Sequence, residues 1–179
     1  HHRDDTLDKI DRKLMAEHTR VHAAAVVDLL NRPILPLNPA ALGEKILSEL
    51  KNLSVEAGGD FDLGQSTEAA TRFVSAANNL MKEIGDSGEL DADRTRLVNR
   101  SLRQLSQKLI CVLFTAGGPY EQDPATSQPL LPGLDPARGL SGADEPEFLI
   151  VQLFRERNRL VDTLEEAREI TETALSQMV

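Results

Sequence analysis

An all-α fold is what three features of this sequence predict. Apolar residues recur at intervals of three and four over most of the chain, and no segment alternates with a period of two. Aromatic residues, which strands favour, make up only 3%, with no Trp and one Tyr. The length of 179 residues suits one domain with a short appendage. The expected architecture is an up-and-down bundle of four main helices with one long Pro/Gly-rich loop.

The first helical stretch runs from about Leu14 to Leu30, with Leu14, Val21, Ala25 and Leu29 on one face, and Pro33 and Pro36 stop it. The second starts at Asn38-Pro39, a capping residue followed by proline at the first helical position. Its stripe is Leu42, Ile46, Leu50 and Leu53, and Gly58-Gly59 closes it. The third starts near Ser66, carries Ala70, Phe73, Ala77, Leu80 and Ile84, and ends at Gly85. Asp91 caps the fourth, whose stripe is Val98, Leu102, Leu105, Leu109 and Val112. The last begins near Asp144 and runs to the C-terminus, with Leu153, Leu160, Leu164, Ala167, Ala174 and Met178 on one side. Short loops between the second, third and fourth helices favour antiparallel neighbours. Between Thr115 and Ala143, the density of Pro and Gly argues against helix, yet Leu130, Leu131, Leu134 and Leu140 are poor residues for a solvated linker. Such a loop folds back on its own bundle or covers a neighbouring domain or subunit.

A net charge of −9 would be repelled by a phosphate backbone or an anionic lipid surface, which argues against nucleic acid and membrane as partners. No apolar stretch approaches the ~20 residues of a membrane span, and the opening HHRDDTLDK does not read as a signal peptide. Without an initiator Met, the chain reads as a fragment. The single cysteine, Cys111, excludes an internal disulfide framework and leaves the compartment open.

A self-contained active site is not legible. His18 and His22 stand four apart on a helix, but the Glu of a metalloprotease helix is absent, and no Glu lies three residues before any of the four His. A surface or packed histidine pair is the plainer reading. Neither a Gly-x-Ser-x-Gly elbow nor a phosphate loop is present. Cys111, inside the apolar run LICVLF, reads as a buried, inert thiol. The basic cluster from Arg94 to Lys108 alternates with the Leu stripe and reads as a solvated face.

The N-terminus is more informative. His1 and His2 read either as a purification-tag remnant or as native residues. In the second case, His1-x-x-x-Asp5-Thr6 followed by Asp8-Lys9-Ile10-Asp11 resembles the end of the catalytic domain in co-catalytic zinc exopeptidases of the aminopeptidase and glutamate carboxypeptidase type. Leu29-Leu30-Asn31-Arg32-Pro33-Ile34-Leu35-Pro36-Leu37 resembles the segment leading into the helical domain of the transferrin receptor and glutamate carboxypeptidase group. Leu131-Pro132-Gly133 resembles that group's Phe-Pro-Gly, and Ala167 and Ala174-Leu175 match its Ala-rich closing helix. Each motif is weak alone; their order along nearly the whole chain makes the resemblance more specific.

The resemblance implies a stub of the catalytic domain over 1–12 and a transferrin receptor-like helical dimerisation domain over 13–179. It also implies that His1 occupies the position of the last zinc ligand. One ligand is not a zinc site, which needs three or four donors. The fragment itself is then neither an enzyme nor a holder of a cofactor, and zinc belongs to the parent protein, as a metallopeptidase. Its implied partners are a second copy and the catalytic domain of the same polypeptide. Ala125 and Thr126 fall where acid-preferring carboxypeptidases of this type carry a Lys-Tyr pair, so a preference for acidic substrates is not supported. Leu149–Val151 with Leu153-Phe154, and Leu109–Phe114, put apolar side chains around most of their helices, more than one stripe needs. Leu130, Leu134, Ile150 and Phe154 are the candidate interface residues. A free-standing helical adaptor for a protein or peptide is the rival reading, and an intact small enzyme a third.

Overall fold

The computed structural model describes residues 10–118 and 127–178. His1, Ala125 and Thr126 lie outside the described residues. The chain forms two compact units, His1–Pro36 and Leu37–Val179. Among the described residues there are five α-helices, one 3₁₀ helix and no strand.

The first unit holds α1, Arg12–Asn31. Asp11 caps it, its carboxylate accepting from Lys13 N at 2.9 Å and Leu14 N at 3.1 Å. None of its residues is buried. The stripe Leu14, Val21, Ala25 and Leu29, which sequence periodicity marks as a core face, is exposed throughout. Periodicity reports that a helix has an apolar side; it does not report what covers that side.

The second unit is the expected all-α bundle. Its helices are α2, Pro39–Glu56; α3, Gly64–Asp86; α4, Ala92–Leu113; and α5, Pro146–Met178. The caps fall where the sequence places them. Asn38 Oδ1 accepts from Ala41 N at 3.0 Å, and Asp91 Oδ1 from Asp93 N and Arg94 N at 2.9 Å. These hydrogen bonds, the one to Arg94 most of all, hold the Asp91 carboxyl below its ordinary value. At the end of α2, Gly58 and Gly59 take positive φ, 61° and 94°, and turn the chain so that Phe61 and Leu63 enter the core.

Helix α3 packs on α2 and α5, and α4 packs on α5 and α2. The order around the bundle is therefore α2, α3, α5, α4. The short link after Asp86 joins helices that stand diagonally, which corrects the expectation that α3 and α4 are neighbours. Loop length fixes a reversal of direction but not adjacency. Paired contacts give the directions of α5. Arg157 reaches Asp62 O and Arg72 reaches Glu165, so α5 runs parallel to α3. Lys108 pairs with Glu166 and Arg159 donates to Cys111 O, so α5 runs antiparallel to α4. Phe73, Leu80, Leu50, Leu105, Leu113, Leu153 and Leu164 fill the centre. Burying each of these contributes roughly 1.5–3 kcal/mol.

The long loop is not irregular throughout. Asp135–Gly142 forms a 3₁₀ helix, contrary to the expectation that Pro and Gly exclude helix there. Leu131, Leu134, Ala137 and Leu140 stand three apart, all at most 4% exposed. Ala137 and Leu140 belong to the 3₁₀ segment, which kinks at Gly139, and Leu131 and Leu134 lie in the turn before it; all four turn their inner side to the bundle. That side packs on α2 and α5. Leu131 N donates to Leu113 O at 3.0 Å, and the Arg138 guanidinium binds the carboxylates of Glu49, Glu56 and Asp135. Of the two readings of the loop, the described part folds back on its own bundle.

Candidate functional site

Two rows of exposed side chains run along α4 and α5 on the outer surface of the bundle. In α4, Val98, Leu102, Leu105, Leu109 and Val112 point inward. A helix turns 100° per residue, so Arg96, Arg100, Arg103, Gln107, Ile110 and Phe114 form the opposite row, and all six are exposed. In α5, Leu153, Leu160, Leu164, Ala167 and Thr171 point inward. Phe148, Val151, Arg155, Asp162, Glu166 and Glu169 form the outward row, again all exposed. Each row is apolar at one end and charged at the other. Because α4 and α5 are antiparallel, both apolar ends point toward the same end of the bundle, but the pairing of Lys108 with Glu166 sets Phe114 level with about residue 160, so Val151 and Phe148 stand roughly 14–18 Å farther along. Toward the other end, Arg100 and Lys108 of α4 share a groove with Glu166 and Glu169 of α5.

Between the charged halves lies a groove of about 590 Å³. Leu97, Ser101, Ile170 and Ala174 line its floor, with Arg100 and Lys108 on the α4 side and Glu166 and Glu169 on the α5 side. Lys108 and Glu166 pair across it. Arg100, Arg103 and Glu169 make no ion pair among the described residues.

The apolar ends are the more unusual feature. Phe148 is 74% exposed, Val151 49%, and Ile110 and Phe114 45% each. The doubly apolar runs in the sequence pointed to these segments without saying which members face outward. Leu109, Val112, Leu113 and Leu153 take the core positions, and their neighbours are left outside. Phe148 carried no separate signal in the sequence.

The four interface residues expected from sequence divide. Leu134 is 2% exposed and belongs to the core of its own unit, so it is not free to meet a partner. Leu130 and Ile150 are half-buried. Phe154 is 41% exposed but already engaged: its ring centroid lies 5.3 Å from that of Phe61, and the Arg157 guanidinium sits 4.8 Å above it.

Cys111 is exposed, which corrects the expected buried thiol. It falls on the outer side of α4, one step from the Leu109–Val112–Leu113 core positions, and its thiol donates to Gln107 O at 3.2 Å. The histidine pair is also on the surface. His22 Nδ1 donates to His18 O at 2.7 Å, since a carbonyl only accepts, and this bond ties His22 to its own helix. Among the described residues, no group of three or more His, Cys, Asp or Glu is placed to hold a metal ion. No helix among them is long and apolar enough to cross a membrane.

Charge adds to the apolar contact between α3 and α5. Glu165 accepts from Arg72 Nη2 at 2.6 Å and from Arg168 Nε at 2.9 Å. The bond from Arg72, then that from Arg168, holds the Glu165 carboxyl below its ordinary value. Glu165 and Glu172 together raise the Arg168 guanidinium above its own. No protein-family model, curated protein or solved structure matches the chain.

Proposed function

We propose that this chain is the helical dimerisation domain of a larger zinc exopeptidase-like protein, of the aminopeptidase or carboxypeptidase type. It works by holding two protomers together and carries no catalysis of its own. The observation that supports this most is the exposed apolar end of the α4/α5 surface, with Phe148, Val151, Ile110 and Phe114 open to water on a bundle whose core is already filled. Large apolar side chains left exposed beyond a filled core are places for another protein to cover.

The link to a peptidase parent rests on the sequence resemblance, from His1-x-x-x-Asp5-Thr6 through Leu131-Pro132-Gly133 to the Ala-rich end of α5. Zinc in this reading belongs to the parent, and the catalytic domain of the same polypeptide is the chain's second partner. A rival reading, a free-standing adaptor that binds a protein or peptide, draws on the groove between α4 and α5. The coding sequence upstream of His1 separates them. A zinc exopeptidase-like catalytic domain ending at His1 supports the first reading, and a start codon at that point overturns it in favour of the adaptor.

A further inference from the structure

We infer that the segment Leu131–Gly142 is a detachable strap. It lifts off the bundle as one unit while the four helices stay folded, and an ionic clamp at Arg138 controls how often it does so. This goes beyond the dimerisation reading and does not depend on it.

The entry to the strap is strained. Leu131 has φ 52°, and among the described residues it is the one non-glycine residue with positive φ. That region crowds the Cβ of a leucine against the following carbonyl oxygen. Pro132 adds to the strain, since a proline pushes the residue before it toward extended backbone. Leu131 holds its conformation through a buried side chain and the bond from its N–H to Leu113 O. Both are lost when the segment leaves its seat, and the strain is released with them. Tethering to the helices is thin. Leu134 N and Asp135 N donate to Leu131 O, Ala137 N to Leu134 O and Ala143 N to Leu140 O, so these bonds stay inside the strap. Among the described residues, the bond from Leu131 N to Leu113 O is the one backbone bond that joins the strap to a helix.

The ionic hold is concentrated on one side chain. Arg138 binds Glu49 and Glu56 of α2 together with Asp135 of the strap itself, and no other ion pair among the described residues ties the strap to a helix. Arg138, Glu56 and Asp135 keep about a third to a half of their side-chain surface in water, so dissolved salt reaches and screens the clamp. What remains is the burial of Leu131, Leu134, Ala137 and Leu140, a small share of the apolar core. Segments with few tethers and a small buried share open below the free energy of global unfolding.

Native-state hydrogen exchange of the full chain, read amide by amide at fixed concentration, tests this. Leu134, Asp135, Ala137 and Ala143 report on the strap; Leu80 in α3 and Leu164 in α5 report on the bundle. The strap amides should be protected at least about a hundredfold less than the bundle amides. Raising sodium chloride from about 0.05 M to about 0.5 M should lower strap protection about threefold or more and leave the bundle amides unchanged. Arg138→Gln should lower it about tenfold, again without moving Leu80 or Leu164. Should Arg138→Gln fail to fold, the salt series on the unmodified chain decides. Strap amides as protected as those of the bundle, or both sets moving together, would show that the segment opens only by global unfolding and would overturn the strap. Strap amides that exchange readily but ignore both salt and Arg138→Gln would overturn the clamp.

Discussion

Leu134→Ala separates core from interface at the position where sequence and structure disagree. Leu134 is 2% exposed, in the turn leading into the 3₁₀ helix, with Val112, Leu131, Gly133 and Glu156 around a small void beside it. Truncating a buried leucine costs about 2.7–5 kcal/mol, rising with the cavity that remains. The segment over Leu134 is held to the rest by few backbone bonds, chiefly Leu131 N to Leu113 O, so it can settle into part of the space. A cost at the low end, about 2–3 kcal/mol, is therefore expected. For a unit of this size, near 3 °C per kcal/mol, this lowers Tm by roughly 8 °C. Differential scanning calorimetry at fixed concentration measures it, and sedimentation of the same sample should show unchanged association. A Tm within about 2 °C of the unmodified chain, together with weaker association, would show that Leu134 faces a partner, and the reasoning from burial would be refuted.

Glycine substitutions give opposite signs. A Cβ on Gly43 would lie 2.9 Å from Phe73 Cε1 and Val74 Cγ2, where α2 meets α3, so Gly43→Ala should destabilise; a Cβ on Gly85 meets nothing within 4 Å, so Gly85→Ala should stabilise by roughly 0.5–1 kcal/mol. Urea unfolding of both checks this, and a stabilised Gly43→Ala would show that the two helices can part. Glu165 titrates below its ordinary value of 4.5 when folded, so it contributes stability above that pH and loses it as pH falls through the lowered value. Glu165→Gln should flatten the fall in Tm below that point, and an equally steep fall would remove the Arg72–Glu165–Arg168 cluster from the account. Phe154→Glu should lower stability by breaking the stack on Phe61, whereas Phe148→Glu, at a side chain 74% exposed, should leave Tm nearly unchanged and weaken association. Equal effects of the two on Tm would contradict the division of the last helix into a packed side and a docking side.

The sequence carries the helices and their caps plainly, because Asn38-Pro39 and Asp91 are local signals whose hydrogen bonds form within one turn. The 3₁₀ helix was concealed by Pro136 and Gly139, which argue against an α-helix but are compatible with a short, tighter one. Cys111 shows the limit of an apolar run: every member looks buried until the register of the helix assigns it a side. The pairing of α4 with α5 decides which charges stand beside which, and nothing local encodes that. The basic face of α4 was legible as a face, but its match to the acidic half of α5 follows only from the order of helices around the bundle.

The most direct test of the central claim is the mass of the unmodified chain in solution across a range of micromolar concentrations. Sedimentation equilibrium should give a species of twice 19.7 kDa that dissociates on dilution. A mass of 19.7 kDa at every concentration and salt level would contradict a domain that pairs two protomers on its own.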